Sequence, residues 1–190
     1  LGYLALLGGA MAYKKQGKEI NKLTPLARFV ATSLIIFISW QLAYDLYFLP
    51  DGRLDTFLSL SGVSIGAGIL RFLGYLVNTD NRIISIVGSK AVEINNGCNG
   101  LQLFGLFSGF IIAYPTAPKL KGLLLVSGSF VLFFSNSCRI AFFAYFNSIF
   151  PQYWNIIHDI SSYLFFYPIV LLFWYLTISL TDKSTLLIDS

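Results

Sequence analysis

Sulfur, imidazole and charge are all scarce in this 190-residue chain. It contains two cysteines, one methionine and one histidine, and only 12% of its residues are charged. Two cysteines are too few for a disulfide scaffold, and no paired-cysteine or histidine-rich tract suggests a metal site. The formal net charge of +4 is small and scattered, which argues against nucleic-acid binding. We therefore predict no metal, no other cofactor and no nucleic-acid partner.

Hydrophobic residues are abundant, at 56% of the chain. Soluble domains are usually about 45–50% apolar. The excess lies in runs close to the roughly 20 residues that a transmembrane helix needs. We predict one polytopic membrane domain over residues 1–190, an all-α helical bundle of about four to six spans. The predicted spans are 26–48, 99–114, 123–134 and 160–180.

Basic residues around these runs predict the orientation of the chain. Lysines crowd residues 14–22, before the first span, and Lys119 and Lys121 lie in a short loop between the second and third. Because short basic loops stay in the cytoplasm, these lysines and Lys183 are expected inside. Residues 1–13 are apolar but long enough for only half a span. They are either a truncated helix or a remnant of processing, and they lack a basic signal-peptide leader.

Residues 57–77 form a more ambiguous apolar segment. Arg71 interrupts it, and it is rich in glycine and serine, with Gly62 and Gly66 spaced for close helix packing. We predict an interfacial or re-entrant helix on the outer side. The alternative is a full span, which would place the lysines of residues 14–22 outside, against the charge rule.

A β-branched stretch precedes the first cysteine. Residues 82–94 are rich in isoleucine and valine around a Gly-Ser turn, which is typical of a short β-hairpin on the outer side. An Asn-Asn-Gly sequence then breaks the chain directly before Cys98. After Arg139, residues 141–150 are expected to continue as a tilted or interfacial helix. Residues 151–159 are expected to form a polar, aromatic segment at the membrane interface.

Cys98, Arg139 and His158 are the candidate site, because the predicted topology brings all three to the outer face. Cys98 lies at a predicted helix N-terminus, whose dipole and free N–H groups favour a thiolate and could hold an oxyanion. Arg139 would lower the pKa of Cys98 and stabilise a tetrahedral intermediate. His158 is the natural proton carrier. Asp159 is adjacent, but neighbours on a helix do not face each other, so no triad is predicted.

Each of these residues also has a purely structural explanation. Cys98 could be a small buried apolar residue, Arg139 an anchor that reaches the headgroups, and His158 a hydrogen-bonded polar residue. Cys138 points about 100° away from Arg139 on a continuous helix, so packing is its predicted role. A Cys98–Cys138 disulfide is the alternative on an oxidising face, and it would block the nucleophile.

Three motifs resemble those of the exosortase/archaeosortase family. The run Asn96-Gly97-Cys98-Asn99-Gly100-Leu101 looks like its Cys-x-Gly-Leu motif, and Asn136-Ser137-Cys138-Arg139-Ile140 looks like its Asn-x-x-Arg-[Ile/Leu] motif. The isolated His158 before the last span is similar to its third element. The resemblance covers roughly residues 57–180.

This resemblance implies a membrane-embedded cysteine protease/transpeptidase of the bacterial plasma membrane, with its site facing outwards. Its partners would be membrane lipids and exported proteins that carry a C-terminal transmembrane sorting signal. Cys98 would be the nucleophile, Arg139 the anion stabiliser and His158 the general acid/base. Supporting or substrate-binding roles fall to the polar and small residues of the motifs: Asn96, Asn99, Gly100 and Asn136.

The sequence departs from the family pattern in three ways. The chain is shorter than the large exosortases, Asn99 stands where many members have a small residue, and Ser161-Ser162 follows the histidine without the expected glycine. These features suggest a compact subfamily. They leave open the recognition motif, the oligomeric state and the acceptor.

Two other functions fit parts of the sequence. A non-catalytic membrane partner in envelope or exopolysaccharide assembly would use the outer hairpin and the aromatic surface for binding. A small transporter would explain the glycine-rich helices and the membrane-depth Arg139, although paired broken helices and internal symmetry are lacking.

Overall fold

A computed structural model describes residues 24–188, so the predictions for residues 1–13 and 14–22 lie outside the described residues. In that range the structure has six long helices and one small sheet, which packs on the second and fourth of these helices. Their bounds are α1 (Pro25–Ala43), α2 (Arg53–Phe72), β1 (Val77–Asp80), β2 (Ile83–Ile86), β3 (Val92–Glu93), α3 (Leu101–Ala113), α4 (Pro118–Ile149), α5 (Trp154–Phe165) and α6 (Tyr167–Ile188).

Three stretches of helix in the described range are long and apolar enough to cross a membrane. They are Leu26–Asp51, Pro118–Ile149 and Pro151–Asp182, and Leu101–Ala113 is a shorter apolar helix. Large apolar side chains on their surfaces are exposed, among them Val126 at 74%, as expected where lipid is the solvent. The predicted class is confirmed: the protein is a multi-pass helical membrane protein with a small sheet.

The first helix continues beyond the end of α1 at Ala43, with a change of helical geometry. Thr24 caps α1, its hydroxyl accepting from the Ala27 N–H at 3.3 Å. The helix then continues through a π-helical turn, Tyr44–Phe48, and a last α-helical turn. Gly52, with φ +65°, ends this helix directly before α2 begins. The π-turn leaves the Tyr44 ring buried, where its hydroxyl donates to Asp55 of α2 at 3.3 Å.

Close packing of α2 on α4 depends on the glycine pair that the sequence indicated. A Cβ atom at Gly62 would lie 2.7 Å from a methyl group of Ile140, and one at Gly66 would lie 3.1 Å from the Ser137 carbonyl oxygen. The helix ends at Phe72, however, and Val77 begins a strand. The segment 57–77 is therefore not one element, and α2 is not among the three membrane-long stretches.

The predicted hairpin at residues 82–94 is present and has one more strand than expected. β2 pairs antiparallel with β3 in the register Ile84↔Val92, and β1 pairs with the other edge of β2. Ile84 and Ile94 are fully buried in a core that includes Cys98, Phe143 and Ala144. The sheet thus covers the end of α4 and leads the chain into the Cys98 turn.

The helices after Cys98 differ from the predicted segments at several boundaries. α4 runs unbroken from Pro118 to Ile149, because no glycine or proline interrupts residues 129–150. Arg139 therefore lies ten residues inside the helix end. The segment 151–159 is mostly helical, since α5 begins at Trp154.

The last predicted span, 160–180, is also interrupted. α5 ends at Phe165 and α6 begins at Tyr167. Pro168 lacks the N–H that a continuous helix would need there. In a continuous helix that N–H would donate to the Leu164 carbonyl. The neighbouring Phe165 carbonyl accepts from the Ser135 hydroxyl at 2.8 Å, which ties the break to α4.

Candidate active site

Cys98 lies in a single 3₁₀ turn, Asn96–Cys98, rather than at the start of a helix. Its N–H donates to the Asn95 carbonyl at 3.0 Å. The N–H of Leu101, where α3 begins, is capped by the Asn99 side chain at 2.9 Å. Both N–H groups therefore already donate hydrogen bonds within the protein, so they are not the free donors that the sequence analysis expected for an oxyanion. The predicted N-terminal helix position of Cys98 is wrong by three residues, because Gly100 takes a left-handed conformation, φ +84°, before the helix starts.

The described structure brings Cys98 and His158 together, although 60 positions separate them. Cys98 Sγ lies 3.4 Å from His158 Nε2, and the cysteine is 7% exposed. The imidazole ring stacks on Phe143 with an interplanar angle of 12°. α5 places His158 on its inner side because Trp154, one turn earlier, packs against the same core.

Asp159 contacts the histidine, contrary to the expectation from sequence. Its Oδ1 lies 3.3 Å from His158 Nδ1, the ring nitrogen opposite the one that faces Cys98. Such a carboxylate favours the tautomer that carries a proton on Nδ1 and leaves Nε2 free to accept one. The Asp159 side chain is 77% exposed, so this contact orients the ring more than it stabilises the fold.

Arg139 is buried, with 3% of its surface exposed. Its Nε donates to Ser161 Oγ at 2.9 Å, and its Nη2 donates to Ser162 Oγ at 3.1 Å. The guanidinium also lies over two rings, 4.7 Å from the centroid of Phe143 and 5.0 Å from that of Phe166. Among residues 24–188 all of these partners are uncharged, so the cation remains available to an anion in the site.

Burial raises the pKa of the Cys98 thiol, while the positive charge of Arg139 opposes that rise. The net direction is upward, so the thiol is protonated at neutral pH. Arg139 lowers the pKa of Cys98, as expected from the sequence, but the opposing effect of burial is larger. The physical reason is desolvation, which penalises the thiolate and which the sequence did not reveal. A base must therefore remove the proton when the thiol reacts.

A cavity of about 390 Å³ is lined by Arg139 and His158. Its lining also includes Gly97 and Gly100, on either side of Cys98 in the sequence, and the polar residues Gln41 and Gln102. Cys138 lines a different, apolar cavity. Both cysteines are free thiols, so in this structure the alternative disulfide is not formed.

The other predicted site residues surround the Cys98 turn. Asn96 Oδ1 accepts from the guanidinium of Arg82 at 2.5 Å. Asn99 is fully buried and hydrogen-bonded to Asp55. Asn136 is 1% exposed and lies behind Gly100, where a Cβ atom would be 3.5 Å from its amide carbon. Asn96 and Asn99 thus tie the turn to other segments, and Asn136 lies against Gly100.

This arrangement of thiol, imidazole and buried cation occurs in a chain that matches the transmembrane exosortase family model over residues 1–175. The chain belongs to the transmembrane exosortase family. The resemblance recognised from its motifs is thereby confirmed. Comparison with curated proteins and with solved structures finds no match. Exosortases are a family of membrane transpeptidases and proteases.

In this exosortase, sequence reasoning missed the groups that hold the three central side chains. Ser161 and Ser162, noted only as a departure from the family pattern, are the hydrogen-bond partners of Arg139. Their position one turn after His158 on the same helix was the available signal. The contacts of Asp55 and Arg82 with the turn had no signal in sequence, because they join distant segments.

Proposed function

We propose that this exosortase is a membrane-embedded cysteine protease/transpeptidase that cleaves the C-terminal sorting signals of exported proteins. The 3.4 Å contact between Cys98 Sγ and His158 Nε2, beside the buried cation of Arg139, is the observation that carries the proposal. Nucleophile, proton acceptor and anion stabiliser are the three parts that acyl transfer through a thioester requires. No metal or cofactor enters this chemistry.

In the first half of the reaction, Cys98 Sγ attacks the carbonyl carbon of the scissile peptide bond. The thiol proton passes to His158 Nε2, and Asp159 holds the ring in the tautomer that accepts it. Arg139 Nη1, which has no hydrogen-bond partner among the described residues, stabilises the oxyanion. When the C–N bond breaks, the imidazolium returns its proton to the leaving amine and a thioester on Cys98 remains.

In the second half, an amine or a water molecule attacks the thioester. His158 removes the proton of that acceptor, the C–S bond breaks, and the sulfur of Cys98 takes the proton back. An amine gives transpeptidation and water gives hydrolysis. The residues of the site serve both routes equally.

A second cavity, of about 400 Å³, supports a membrane-anchored substrate. It is lined mainly by apolar side chains of α3 and α6. It shares Leu103, Leu106, Ser162 and Phe166 with the cavity that Arg139 and His158 line. We propose that the transmembrane helix of the substrate lies along this surface, which raises the effective concentration of the scissile bond at Cys98.

We place the site on the outer side of a bacterial plasma membrane. Lys119 and Lys121 lie in the first turn of α4 rather than in the predicted loop, at the opposite end of α3 from the Cys98 turn. Basic residues at the end of a span favour the cytoplasmic side. Exported proteins with a C-terminal transmembrane signal would meet the site there, with the surrounding lipids as the other partner.

The shared wall of the two cavities gives a prediction about substrate access. Leu106→Trp is expected to lower substrate cleavage on the order of 100-fold, because the indole displaces the scissile bond from Cys98. Leu106 is 42% exposed, so the fold should tolerate the ring. Val126→Trp, at an exposed position on α4, is the control and should cleave normally. Equal cleavage by both variants would mean that the substrate does not lie along this surface.

Hydroxylamine trapping tests the proposed function itself. Cells that produce the chain are grown with and without hydroxylamine, and C-terminal peptides of exported proteins are compared by mass spectrometry. A thioester on Cys98 is intercepted by hydroxylamine, so we expect truncated proteins that end in a hydroxamate. These products should be absent from cells without the chain. If truncated C-termini and hydroxamates are the same in both strains, the chain is a non-catalytic membrane partner.

A further inference from the structure

Asp55 is a fully buried carboxyl group on α2, far in sequence from the three candidate catalytic residues. Its Oδ1 accepts hydrogen bonds from the Asn99 amide and, at 3.3 Å, from the Tyr44 hydroxyl. Asn99 in turn caps the Leu101 N–H at 2.9 Å. Asp55 therefore holds the C-terminal side of the turn that carries Cys98.

Arg82 holds the other side of the same turn. Its Nη1 donates to Asn96 Oδ1 and its Nη2 donates to Thr56 Oγ1, each at 2.5 Å. Thr56 is the residue after Asp55 on α2. Two consecutive residues of one helix thus secure both ends of the turn: Asp55 bonds it directly, and Thr56 bonds it through the Arg82 guanidinium, which comes from the turn between β1 and β2.

Burying the Asp55 carboxyl group costs free energy, which indicates that the residue does more than fill space. A carboxyl group in an apolar interior is expensive unless all of its oxygens are bonded. Oδ2 of Asp55 has no partner within the described part of the chain. An apolar residue would fill the same space at lower cost, but it could not bond Asn99. Because α2 also packs closely on α4, which carries Arg139, the same helix fixes the position of the Cys98 turn relative to the Arg139 cation.

We propose that Asp55 and Arg82 are positioning residues, which hold the Cys98 turn from its two ends so that Sγ stays within reach of His158 Nε2. Neither residue would touch the substrate. The consequence for catalysis rests on the proposed function, whereas the consequence for the thiol depends only on the geometry. Asn99, a departure from the family pattern, becomes the residue through which Asp55 acts.

The two positions should respond differently to conservative changes. Asp55→Ala is expected to lower the cleavage rate about 100-fold, the scale of an error of about 1 Å in position. Asp55→Asn should recover most of that rate, because its amide oxygen can still accept from Asn99. Arg82→Lys should not recover the rate of Arg82→Ala, since a single ammonium cannot reproduce the guanidinium fork.

The decisive test measures how far the reactivity of Cys98 depends on His158, without any substrate. The full chain with Cys138→Ala has Cys98 as its one thiol, and its alkylation by N-ethylmaleimide is timed in detergent. In this background we expect His158→Ala to slow alkylation severalfold, because the proton acceptor is lost. With Asp55→Ala present, His158→Ala should cause no further slowing. With Asp55→Asn present, the dependence on His158 should return.

Ser59→Ala is the matched control, since Ser59 lies one turn along α2 and is equally buried, but its hydroxyl has no hydrogen-bond partner among the described residues. It should leave the His158 dependence intact. If Asp55→Ala fails to fold, Cys98 becomes exposed and alkylates faster. In that case Arg82→Lys, at a partly exposed position, replaces Asp55→Ala in the same comparison with His158→Ala. The proposal would be overturned if His158→Ala slowed alkylation as much in Asp55→Ala and in Arg82→Lys as in the parent chain. It would also be overturned if His158→Ala did not slow alkylation in the parent chain. Failure of the proposed function shows separately, as missing hydroxamate products.

Discussion

Cys98→Ala is expected to abolish substrate cleavage, with a loss of at least about 10⁴-fold in rate, the scale seen when a covalent nucleophile is removed. Cys98→Ser should be nearly as inactive. A hydroxyl group gives up its proton far less readily than a thiol, and the buried site already penalises the anion. The measurement is the fraction of an exported protein that retains its C-terminal segment, compared by immunoblot between cells that carry each variant.

Cys138→Ala provides the matched control for the nucleophile. It removes the other thiol of the chain, which lies on the same helix as Arg139 but lines a different cavity. Cleavage by this variant should equal that of the parent. The assignment of the nucleophile is wrong if Cys98→Ala cleaves normally, or if the two alanine variants lose activity together.

Arg139→Gln is expected to lower cleavage by about 10²–10³-fold, the effect of removing one group that stabilises an oxyanion. It should also change the titration of the thiol. Burial raises the pKa of Cys98 and Arg139 pulls it down, so without the cation that pKa rises further. Less thiolate is then present at any pH below the pKa. Alkylation of Cys98 should be slower in the variant, and its pH midpoint should move upward.

Arg139→Lys separates charge from geometry in this experiment. Lysine keeps the positive charge but cannot bond Ser161 and Ser162 as a fork. We expect its alkylation midpoint to lie between those of the parent and Arg139→Gln, while cleavage stays low. A midpoint in Arg139→Gln at or below that of the parent would mean that the guanidinium does not act on the thiol.

The family, the fold class and the hairpin could be predicted because their signals are local. Apolar runs, a β-branched stretch around a turn and three short motifs are all visible within windows of about 20 residues. Helix continuity was harder to predict. The membrane-depth Arg139 suggested a helix end, whereas its serine and aromatic partners allow α4 to continue ten residues further.

The support of the site could not be predicted because it depends on contacts between distant segments. Asp55 and Asn99 are 44 positions apart, and neither position is informative alone. The contact of Asp159 with its neighbour His158 was missed for a different reason. Backbone spacing separates adjacent helix residues, but two flexible side chains at the helix surface can still turn towards each other. The pKa of Cys98 depended on burial, which only the folded chain shows.

The π-helical turn at Tyr44–Phe48 sets how the helix before it is rotated relative to the residues after it, which hydropathy alone does not predict. Upstream of it Trp40 stacks on Tyr44, and downstream Asp55 receives the Tyr44 hydroxyl. A π-turn has one residue more than an α-turn, so it sets the phase between these two halves. Deleting one residue within 45–48 would leave the apolar run intact yet rotate the downstream half by about 100°. Between Trp40 and Asp55 the exact length of the chain is therefore under constraint, and an insertion or deletion there should cost more than most substitutions.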